Sequence, residues 1–282
     1  MHFGVTMFPT ERTISPIELG RAVEERGLDS IYFPEHTHIP VSRRSPWPGG
    51  GPLPDEYRRT FDPFIALTAA AAVTSRIRLG TGVCLVAQRD PIITAKEVAT
   101  IDVLSGGRFV FGVGLGWNQE EAENHGTDFN RRRSIVRERL LAMQQLWTQD
   151  EASFEGQHVH LPPTWAWPKP VQRPRPPILF GGAASPKLFA HIAEYADGWL
   201  PIGGAGVAKT LPELHQAFEH AGRDPMTIQT VIYAALPDPA KLAYYRTLGI
   251  TEVVFQLPPG DATQVLPILD RYAELVRAAR AG

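Results

Sequence analysis

The sequence predicts a closed (β/α)8 barrel, in which eight parallel strands alternate with helices. Short apolar runs rich in β-branched residues alternate eight times with segments of helical periodicity, and glycines gather where several of these runs end. A doubly wound open sheet is the alternative. However, no Gly-x-Gly-x-x-Gly motif follows the first strand, which counts against a nucleotide-binding sheet of that kind. Since α/β barrels of this size form single domains, we expect one domain over residues 1–282.

The first half of the chain alternates strands and helices. The predicted strands are residues 2–8, 30–33, 77–86 and 108–113, and the predicted helices are residues 16–27, 63–74 and 91–104. Ser15 precedes the first helix as a capping residue, with Glu18 three positions later. The run 77–86 is apolar and β-branched, which is typical of a strand buried on both faces. With the helix and strand that follow, it forms one right-handed βαβ unit.

The second half resumes this alternation after an excursion. Residues 118–150 are predicted to be mostly helical with a break near 126–129, residues 152–161 to form a small hairpin, and the proline-rich residues 162–177 to form an extended loop. The remaining strands are predicted at 178–180, 197–202, 227–234 and 251–256, and the remaining helices at 186–196, 207–222, 238–248 and 263–279. The hairpin and the proline-rich segment therefore interrupt the barrel before its fifth strand.

A long loop after the second strand, residues 37–59, has no periodicity and is rich in proline and glycine. A loop of this length inside a compact domain is usually functional or mobile. Because it follows a strand at the face where barrels hold their active sites, we predict that it covers a substrate. A disordered insertion is the alternative, although Trp47, Tyr57, Arg58 and Arg59 favour a contact role.

The composition limits the classes of function. The formal charge of −2 gives no electrostatic basis for binding nucleic acid or a membrane surface. The basic run 131–133 is interpreted as a solvated helix face. The single cysteine, Cys84, allows no intrachain disulfide, no signal peptide is recognised, and no apolar run approaches the ~20 residues of a membrane span. We therefore expect a cytoplasmic protein.

The catalytic residues of a barrel come from the carboxyl ends of its strands. At these positions the sequence offers aromatic, amide, hydroxyl and glycine residues, and it lacks the paired carboxylates of a glycosidase. Glu35, His36 and His38 follow the second strand, but no further metal ligands stand at later strand ends, so we expect no metal. The strand ends therefore favour neither a glycosidase nor a metal hydrolase.

The run Gly181-Gly182-Ala183-Ala184-Ser185 stands between the fifth strand and a helix that begins with proline. Free backbone N–H groups and the positive end of that helix would meet a phosphate, with the Ser185 hydroxyl as a further donor. A helix dipole contributes only ~0.3–1 kcal/mol, so the N–H hydrogen bonds would provide most of the binding. The spacing alone leaves a plain glycine-rich turn as the alternative.

The motifs resemble a known family when they are taken in order. They are Arg-Ile-Arg-Leu-Gly-Thr-Gly-Val (76–83), Ala-Thr-Ile-Asp-Val-Leu-Ser-Gly-Gly-Arg (99–108), Gly-Val-Gly-Leu-Gly-Trp (112–117), Pro-Lys-Pro-Val-Gln (168–172), the run 181–185 and Ala-Asp-Gly-Trp-Leu-Pro (196–201). This set resembles the luciferase-like monooxygenase superfamily and, within it, the actinobacterial coenzyme F420-dependent oxidoreductases. The match runs from the first strand to about Pro201. It is more specific for the superfamily than for F420 over FMN.

The resemblance implies a TIM barrel of the luciferase-like type, with coenzyme F420, or alternatively FMN, lying across the strand ends. It also implies a non-prolyl cis peptide at Gly82-Val83 that bulges toward the cofactor ring. The expected cofactor-binding residues are Thr81, Gly82, Val83, Gly114, Gly116, Asn118, Gly181, Gly182, Ala183, Ala184 and Ser185. The residues expected to shape the substrate pocket are Met7, Trp47, Trp117, Trp199 and Gln256. The expected partners are a small-molecule substrate and, by family analogy, a second copy in a homodimer.

His36 is the predicted catalytic residue, because it matches the histidine of the family's Asp-His or Glu-His motif. A histidine with the unperturbed pKa of ~6.5 suits proton transfer near neutral pH. Packing against the cofactor ring is the alternative role. One position departs from the family's sugar-phosphate dehydrogenases, in which a glutamate follows the Gly-x-Gly of the fourth strand. Trp117 occupies that position here, which argues against glucose-6-phosphate oxidation.

The resemblance therefore implies an F420-dependent oxidoreductase that transfers a hydride between C5 of the deazaflavin and a small organic substrate. Two alternatives remain open. One is an FMN-dependent monooxygenase that uses dioxygen, and the other is a barrel that binds a flavin without turnover. The sequence does not identify the substrate.

Overall fold

A computed structural model describes residues 1–281. The strands are β1 (His2–Thr6), β2 (Ser30–Phe33), β3 (Arg78–Thr81), β4 (Phe109–Val113), β5 (Ala152–Glu155), β6 (His160–Thr164), β7 (Ile178–Gly181), β8 (Gly198–Leu200), β9 (Gln229–Ala235) and β10 (Glu252–Gln256). All strands except β5 and β6 pair in parallel and close a barrel, in which β1 lies between β2 and β10. The predicted eight-stranded barrel is confirmed, and β5 and β6 form the predicted hairpin outside it.

The helices surround this barrel. They are α1 (Pro16–Glu25), α2 (Pro63–Ala71), α3 (Pro91–Leu104), α4 (Gln119–Asn124), α5 (Arg132–Thr148), α6 (Pro186–Tyr195), α7 (Val207–His220), α8 (Pro239–Thr247) and α9 (Ala262–Ala281). Within residues 1–281, none of them has the length together with the hydropathy that a membrane span requires.

Five helices begin with the same local signal, a serine or aspartate followed by proline. The side chain of each capping residue accepts a hydrogen bond from a backbone N–H in the first turn; the caps are Ser15, Asp62, Asp90, Ser185 and Asp238. Proline suits the next position because its φ is already helical and it has no N–H to satisfy. Since a lost cap costs ~1 kcal/mol, this signal fixes where these helices start, including α6 beside the glycine-rich run.

Alternation along the strands separates two apolar layers. In β4, Phe109, Phe111 and Val113 pack against the helices, whereas Val110 belongs to a smaller cluster inside the barrel. The other buried members of the inner cluster are Tyr32, Leu179, Leu200, Val231, Tyr233 and Val254. The barrel interior is therefore filled by side chains, as expected for eight strands. A large cavity lies at the mouth of the barrel.

The structure changes several predicted strand boundaries; the first strand, for example, ends at Thr6 instead of residue 8. The third strand ends at Thr81 instead of continuing to residue 86, and a short 3-10 turn forms at Val86–Gln88. The peptide bond between Gly82 and Val83 is cis, as the family resemblance implied. β6 extends to Thr164, so it takes up the first residues of the segment that was predicted to be loop.

Candidate active site at the carboxyl ends of the barrel strands

A cavity of about 550 Å³ opens at the carboxyl ends of the barrel strands. The segments at the ends of β1, β2, β3, β4, β7 and β10 all contribute to its lining. The predicted site residues that line it are His36, Gly82, Val83, Gly114, Gly116, Trp117, Gly181, Gly182, Ala183, Ala184, Ser185 and Gln256. Closure of the barrel thus brings most of the predicted set to one cavity.

Three predicted site residues lie behind the cavity wall. Met7 and Thr81 are fully buried, and the Thr81 hydroxyl donates to the carbonyl of Gly112 at 2.6 Å. Trp199 is 2% exposed, and its indole N–H donates to the carbonyl of Gly182 at 2.9 Å. The expectations that Met7 and Trp199 shape the pocket and that Thr81 binds the cofactor are therefore corrected. Strand alternation directs these side chains into the layer between strands and helices.

Trp47 and Asn118 lie one layer away from the cavity. Trp47 packs against Tyr57 with 5.9 Å between ring centroids, and Tyr57 is the residue that lines the cavity. Asn118 is 1% exposed and caps α4, because its Oδ1 accepts the N–H of Glu121 at 3.2 Å. The expected pocket role of Trp47 and the expected cofactor contact of Asn118 are corrected to supporting positions.

Val83 forms an apolar ledge in the barrel mouth. A Cβ added at Gly114 would lie 2.5 Å from one methyl of Val83, and a Cβ added at Gly181 would lie 2.7 Å from the other. A Cβ at Gly82 would lie 2.5 Å from the ring of Tyr233. The sequence had indicated that these glycines let a flat ligand approach the backbone. In the structure they make room for Val83 and Tyr233, and Val83 becomes the surface on which a ligand would rest.

His36 is held by a carboxylate that the sequence did not reveal. Its Nδ1 lies 2.8 Å from Oε2 of Glu121, and the two side chains are 6% and 0% exposed. Because an ionised carboxylate only accepts, Nδ1–H is the donor and the tautomer is fixed. Nε2 makes no hydrogen bond within residues 1–281, so it is free for a ligand in the cavity. The spacing from Asn118 places Glu121 in the first turn of α4, but spacing does not show which strand end it faces.

Aromatic rings form one wall of the cavity. The ring of Tyr57 lies 4.5 Å from Phe8, 5.3 Å from His36 and 6.4 Å from Trp117, measured between centroids. Burial raises the pKa of the Tyr57 hydroxyl, so the phenol is neutral at physiological pH. An apolar, mostly uncharged wall with few polar groups is typical of pockets for small organic molecules.

The long loop after β2 is docked on α4. The carboxylate of Glu120 accepts hydrogen bonds from the hydroxyl of Ser42 and the N–H of Ser45, each at 3.0 Å, and Arg44 pairs with Glu123 at 2.8 Å. Burial alone would raise the pKa of Glu120, but the hydrogen bonds from Ser45 and Ser42 outweigh it and lower the pKa to about 2. The loop therefore stands beside the cavity, to which it contributes Tyr57.

A buried ion cluster fixes the strand end that carries the candidate catalytic histidine. Glu35 accepts from Nε of Arg89 and from the N–H of Leu85, both at 2.6 Å. Arg89 also pairs with Asp62 and Glu97. Glu35 thus links the end of β2 to the segment after the cis peptide. Within residues 1–281, no three His, Cys, Asp or Glu side chains are grouped to hold a metal ion.

The run from Gly181 to Ser185 presents unpaired donors beside the cavity. Within residues 1–281, the backbone N–H groups at 182–185 donate no hydrogen bond. Oγ of Ser185 accepts the N–H of Leu188 at 3.2 Å as the α6 cap, which leaves the hydroxyl proton available. Free N–H groups at a helix start suit an oxyanion.

Two arginines also line this cavity. Arg132 and Arg133 belong to the first turn of α5 and border the cavity together with Ser185 and Leu188. The interpretation of 131–133 as a solvated face holds for Arg131, whose side chain is 58% exposed. It is wrong for its two neighbours, which the helix break at residues 125–131 turns toward the cavity.

The fold and this cavity define a (β/α)8-barrel protein with its candidate site at the strand carboxyl ends. The sequence profile of luciferase-like monooxygenases matches residues 6–241. Since this match covers most of the chain, the chain belongs to the luciferase-like monooxygenase family.

Individual relatives range from near to distant. An uncharacterised protein of Mycobacterium tuberculosis is 45% identical over 277 residues, which cover 97% of this chain and 98% of that protein. The F420-dependent glucose-6-phosphate dehydrogenase of Gordonia bronchialis is 28% identical over 239 residues, which cover 79% and 65% of the two chains. The crystal structure of the monooxygenase RslO1 from Streptomyces bottropensis superposes with a TM-score of 0.77 at 20% identity and covers 99% of both chains. At that identity the superposition shows the shared fold alone.

Proposed function

We propose that this protein is an F420-dependent oxidoreductase that transfers a hydride between the deazaflavin and a small organic substrate. The observation that carries the proposal is the arrangement of the cavity. An apolar ledge at Val83 lies between His36 on one side and the unpaired N–H groups of 182–185 on the other. This arrangement fits a flat tricyclic ring that carries an anionic tail. The relationship to an F420-dependent dehydrogenase of Gordonia bronchialis supports F420 as the cofactor.

The fit has a polar and an apolar part. Val83 and Leu85 offer the ring an apolar surface, and the N–H groups before α6 would hold the phosphate of the tail. Bound F420 would supply the hydride donor or acceptor. The work left to the protein is to orient the ring and the substrate, to exclude water and to supply a proton.

His36 would supply or remove that proton through Nε2. Glu121 holds the opposite nitrogen, so the imidazole cannot turn away from the cavity. The loop docked on α4 through Glu120 would reduce the access of water beside Tyr57, which it contributes to the cavity. Positioned proton transfer of this kind contributes about 10²–10⁴-fold to a rate.

The aromatic wall indicates the class of substrate. Phe8, Tyr57 and Trp117 present ring surfaces where a sugar phosphate would need hydrogen-bond donors and a cation. The two arginines that line the cavity stand at the start of α5 and not on this wall. We therefore propose a small, largely apolar substrate such as an unsaturated carbonyl compound, an imine or a secondary alcohol, and not glucose-6-phosphate.

Titration of the purified protein with F420 and with FMN tests the cofactor. We expect tight binding of F420 and weak binding of FMN, and the reverse order would reject the proposal in favour of an FMN-dependent monooxygenase. The absorbance of reduced F420 should then fall when enones, imines or ketones are added. If F420 binds, no substrate class oxidises it, and the absorbance of reduced F420 behaves alike in the wild type and in His36→Ala, the protein is a cofactor-binding barrel without turnover.

A further inference from the structure

The first turn of α5 places two guanidinium groups in the cavity without any acidic partner. Neither Arg132 nor Arg133 makes an ion pair within residues 1–281, although the next arginine along this face, Arg137, pairs with Glu194. Arg132 is fixed in place, because its Nη1 donates to the carbonyl of Phe129 at 2.7 Å and its guanidinium stacks 3.7 Å from that ring. Both guanidinium groups therefore line the cavity without a counter-ion from residues 1–281, and Arg132 is held in place.

Some of their donors are also unsatisfied. Nε of Arg132 and Nη1 of Arg133 are both inaccessible to water and have no hydrogen-bond partner within residues 1–281. Buried polar groups are normally hydrogen-bonded, and a buried charged donor without a partner is costly. Burial, and next the charge of Arg133, lower the pKa of Arg132. An oxyanion bound in the cavity by the accessible N–H groups of both guanidinium groups would relieve the repulsion between the two like charges.

Arg132 and Arg133 line the same cavity as the glycine-rich run before α6. Ala183, Ala184 and Ser185 line the same cavity as both arginines, so N–H groups and guanidinium groups border one cavity. The phosphate expected at the N–H groups is one anion. The arginines would be available to a second anionic group on the same tail.

We propose that Arg132 and Arg133 form a second oxyanion subsite, which binds an acidic group on the tail of the cofactor beyond its ring. This inference rests on the proposed function and deepens it, because it names the residues that select the tail. In F420 the group is a carboxylate of the acidic tail that follows the phosphate, whereas FMN has only one phosphate and no second anion for this subsite. Guanidinium donors suit a carboxylate, since they bind planar oxyanions through two N–H groups at once.

Equilibrium dialysis with four ligands tests the subsite without an activity measurement. The ligands are F420, the same deazaflavin lacking phosphate and tail, FMN and riboflavin. The variants are Arg132→Gln, Arg133→Gln and Arg133→Lys, with Arg131→Gln as the matched control, because it removes the same charge from an exposed neighbour that does not line the cavity. Binding of the tailless deazaflavin serves as the check that each variant is folded.

We expect Arg132→Gln and Arg133→Gln each to weaken F420 binding by about tenfold, the equivalent of one charge-assisted hydrogen bond. Binding of the tailless ligand and the Arg131→Gln control should not change, Arg133→Lys should retain part of the affinity, and added salt should weaken the wild type more than the glutamine variants. If the wild type binds F420 and the glutamine variants bind it equally well, the subsite is refuted while the proposed function stands. If FMN binding alone responds, the subsite holds a phosphate and the F420 proposal falls. If the wild type binds none of the four ligands, both proposals fail.

Discussion

Nδ1 of His36 donates a hydrogen bond to Oε2 of Glu121 over 2.8 Å, and both side chains are buried. Within residues 1–281 this is the only hydrogen bond of that carboxylate, since Oε1 of Glu121 has no partner. The carboxylate orients the imidazole and would stabilise the imidazolium that forms when Nε2 takes a proton. The aspartate of a Ser-His-Asp triad acts on its histidine in the same way. Glu121 is therefore a positioning residue for the proposed proton transfer.

Replacement of Glu121 by glutamine should lower kcat by about tenfold and leave KM nearly unchanged, because it weakens the orientation of His36 without removing it from the cavity. Replacement of His36 by asparagine should lower kcat by about 10²–10⁴-fold. The double variant should be no slower than His36→Asn, since both residues act through one proton transfer. Oxidation of reduced F420, followed by absorbance, measures all three.

The control for this cycle is Glu123→Gln, which changes an exposed carboxylate on the same short helix. It should leave kcat unchanged. A double variant slower than His36→Asn by a further factor of about ten would show that Glu121 acts independently of the histidine.

Docking of the long loop should weaken at acid pH, because it depends on the charge of Glu120. The pKa of Glu120 is lowered from 4.5 to about 2, so the folded protein binds fewer protons than the unfolded chain in this range. The stabilisation is present above 4.5 and is lost as the pH falls toward about 2. The difference in unfolding free energy between the wild type and Glu120→Gln should therefore shrink across this window. A difference that stays constant through it would show that the charge of Glu120 does not dock the loop.

The matched control is Glu123→Gln, which removes a more exposed ion pair with Arg44. Exposed pairs contribute about 0–1 kcal/mol, so this variant should change stability little. Hydrogen exchange at residues 42–45 should become faster in Glu120→Gln and remain at the wild-type rate in Glu123→Gln.

Among the charged residues of the fold, replacement of Arg89 should lower the free energy of unfolding the most. Arg89→Met leaves Glu35, Asp62 and Glu97 without their shared cation, and the carboxylate of Glu35 is 2% exposed. Loss of one partner from a buried pair costs about 3–5 kcal/mol, which urea denaturation measures. Arg58→Met, at an exposed pair with Asp55, should cost no more than about 1 kcal/mol. Equal losses in the two variants would contradict this ranking.

The Val83 ledge can be tested by overpacking. Gly114→Ala would place a methyl group 2.5 Å from a methyl of Val83, so it should destabilise the fold by about 1–3 kcal/mol and weaken cofactor binding. Val83→Ala opens the space that this methyl needs. The double variant should therefore be more stable than the sum of the two single effects, as measured by urea denaturation. Strict additivity would mean that the two residues do not share the space.

Most of the barrel could be predicted because its signals are local. The helix over residues 91–104 was predicted to the residue, since Asp90 and Pro91 define its start and Gly106 follows its end. β3 was predicted too long because apolar character continues to residue 86 while the backbone leaves the sheet at Gly82. The pattern of apolar residues indicates which side chains are buried, but it does not indicate where the backbone leaves the sheet.

The candidate site could be predicted only where backbone position decides it. The strand ends at Gly82, Gly114 and Gly181 were located correctly, because topology brings them together. Side-chain direction was the source of error: Met7 points into the helix layer and Arg132 points into the cavity. The direction of Met7 depends on the register of its strand. The direction of Arg132 depends on a helix break whose angle no local pattern specifies.

The placement of one indole gives the wild-type chain a built-in optical probe. Trp117 stands at the cavity edge, whereas Trp147 is 1% exposed in the core. A tricyclic chromophore bound on Val83 would quench the emission of Trp117 by energy transfer, so the total tryptophan emission should fall on binding. Occupancy of the barrel mouth can therefore be followed in real time by ultraviolet excitation, without any attached label.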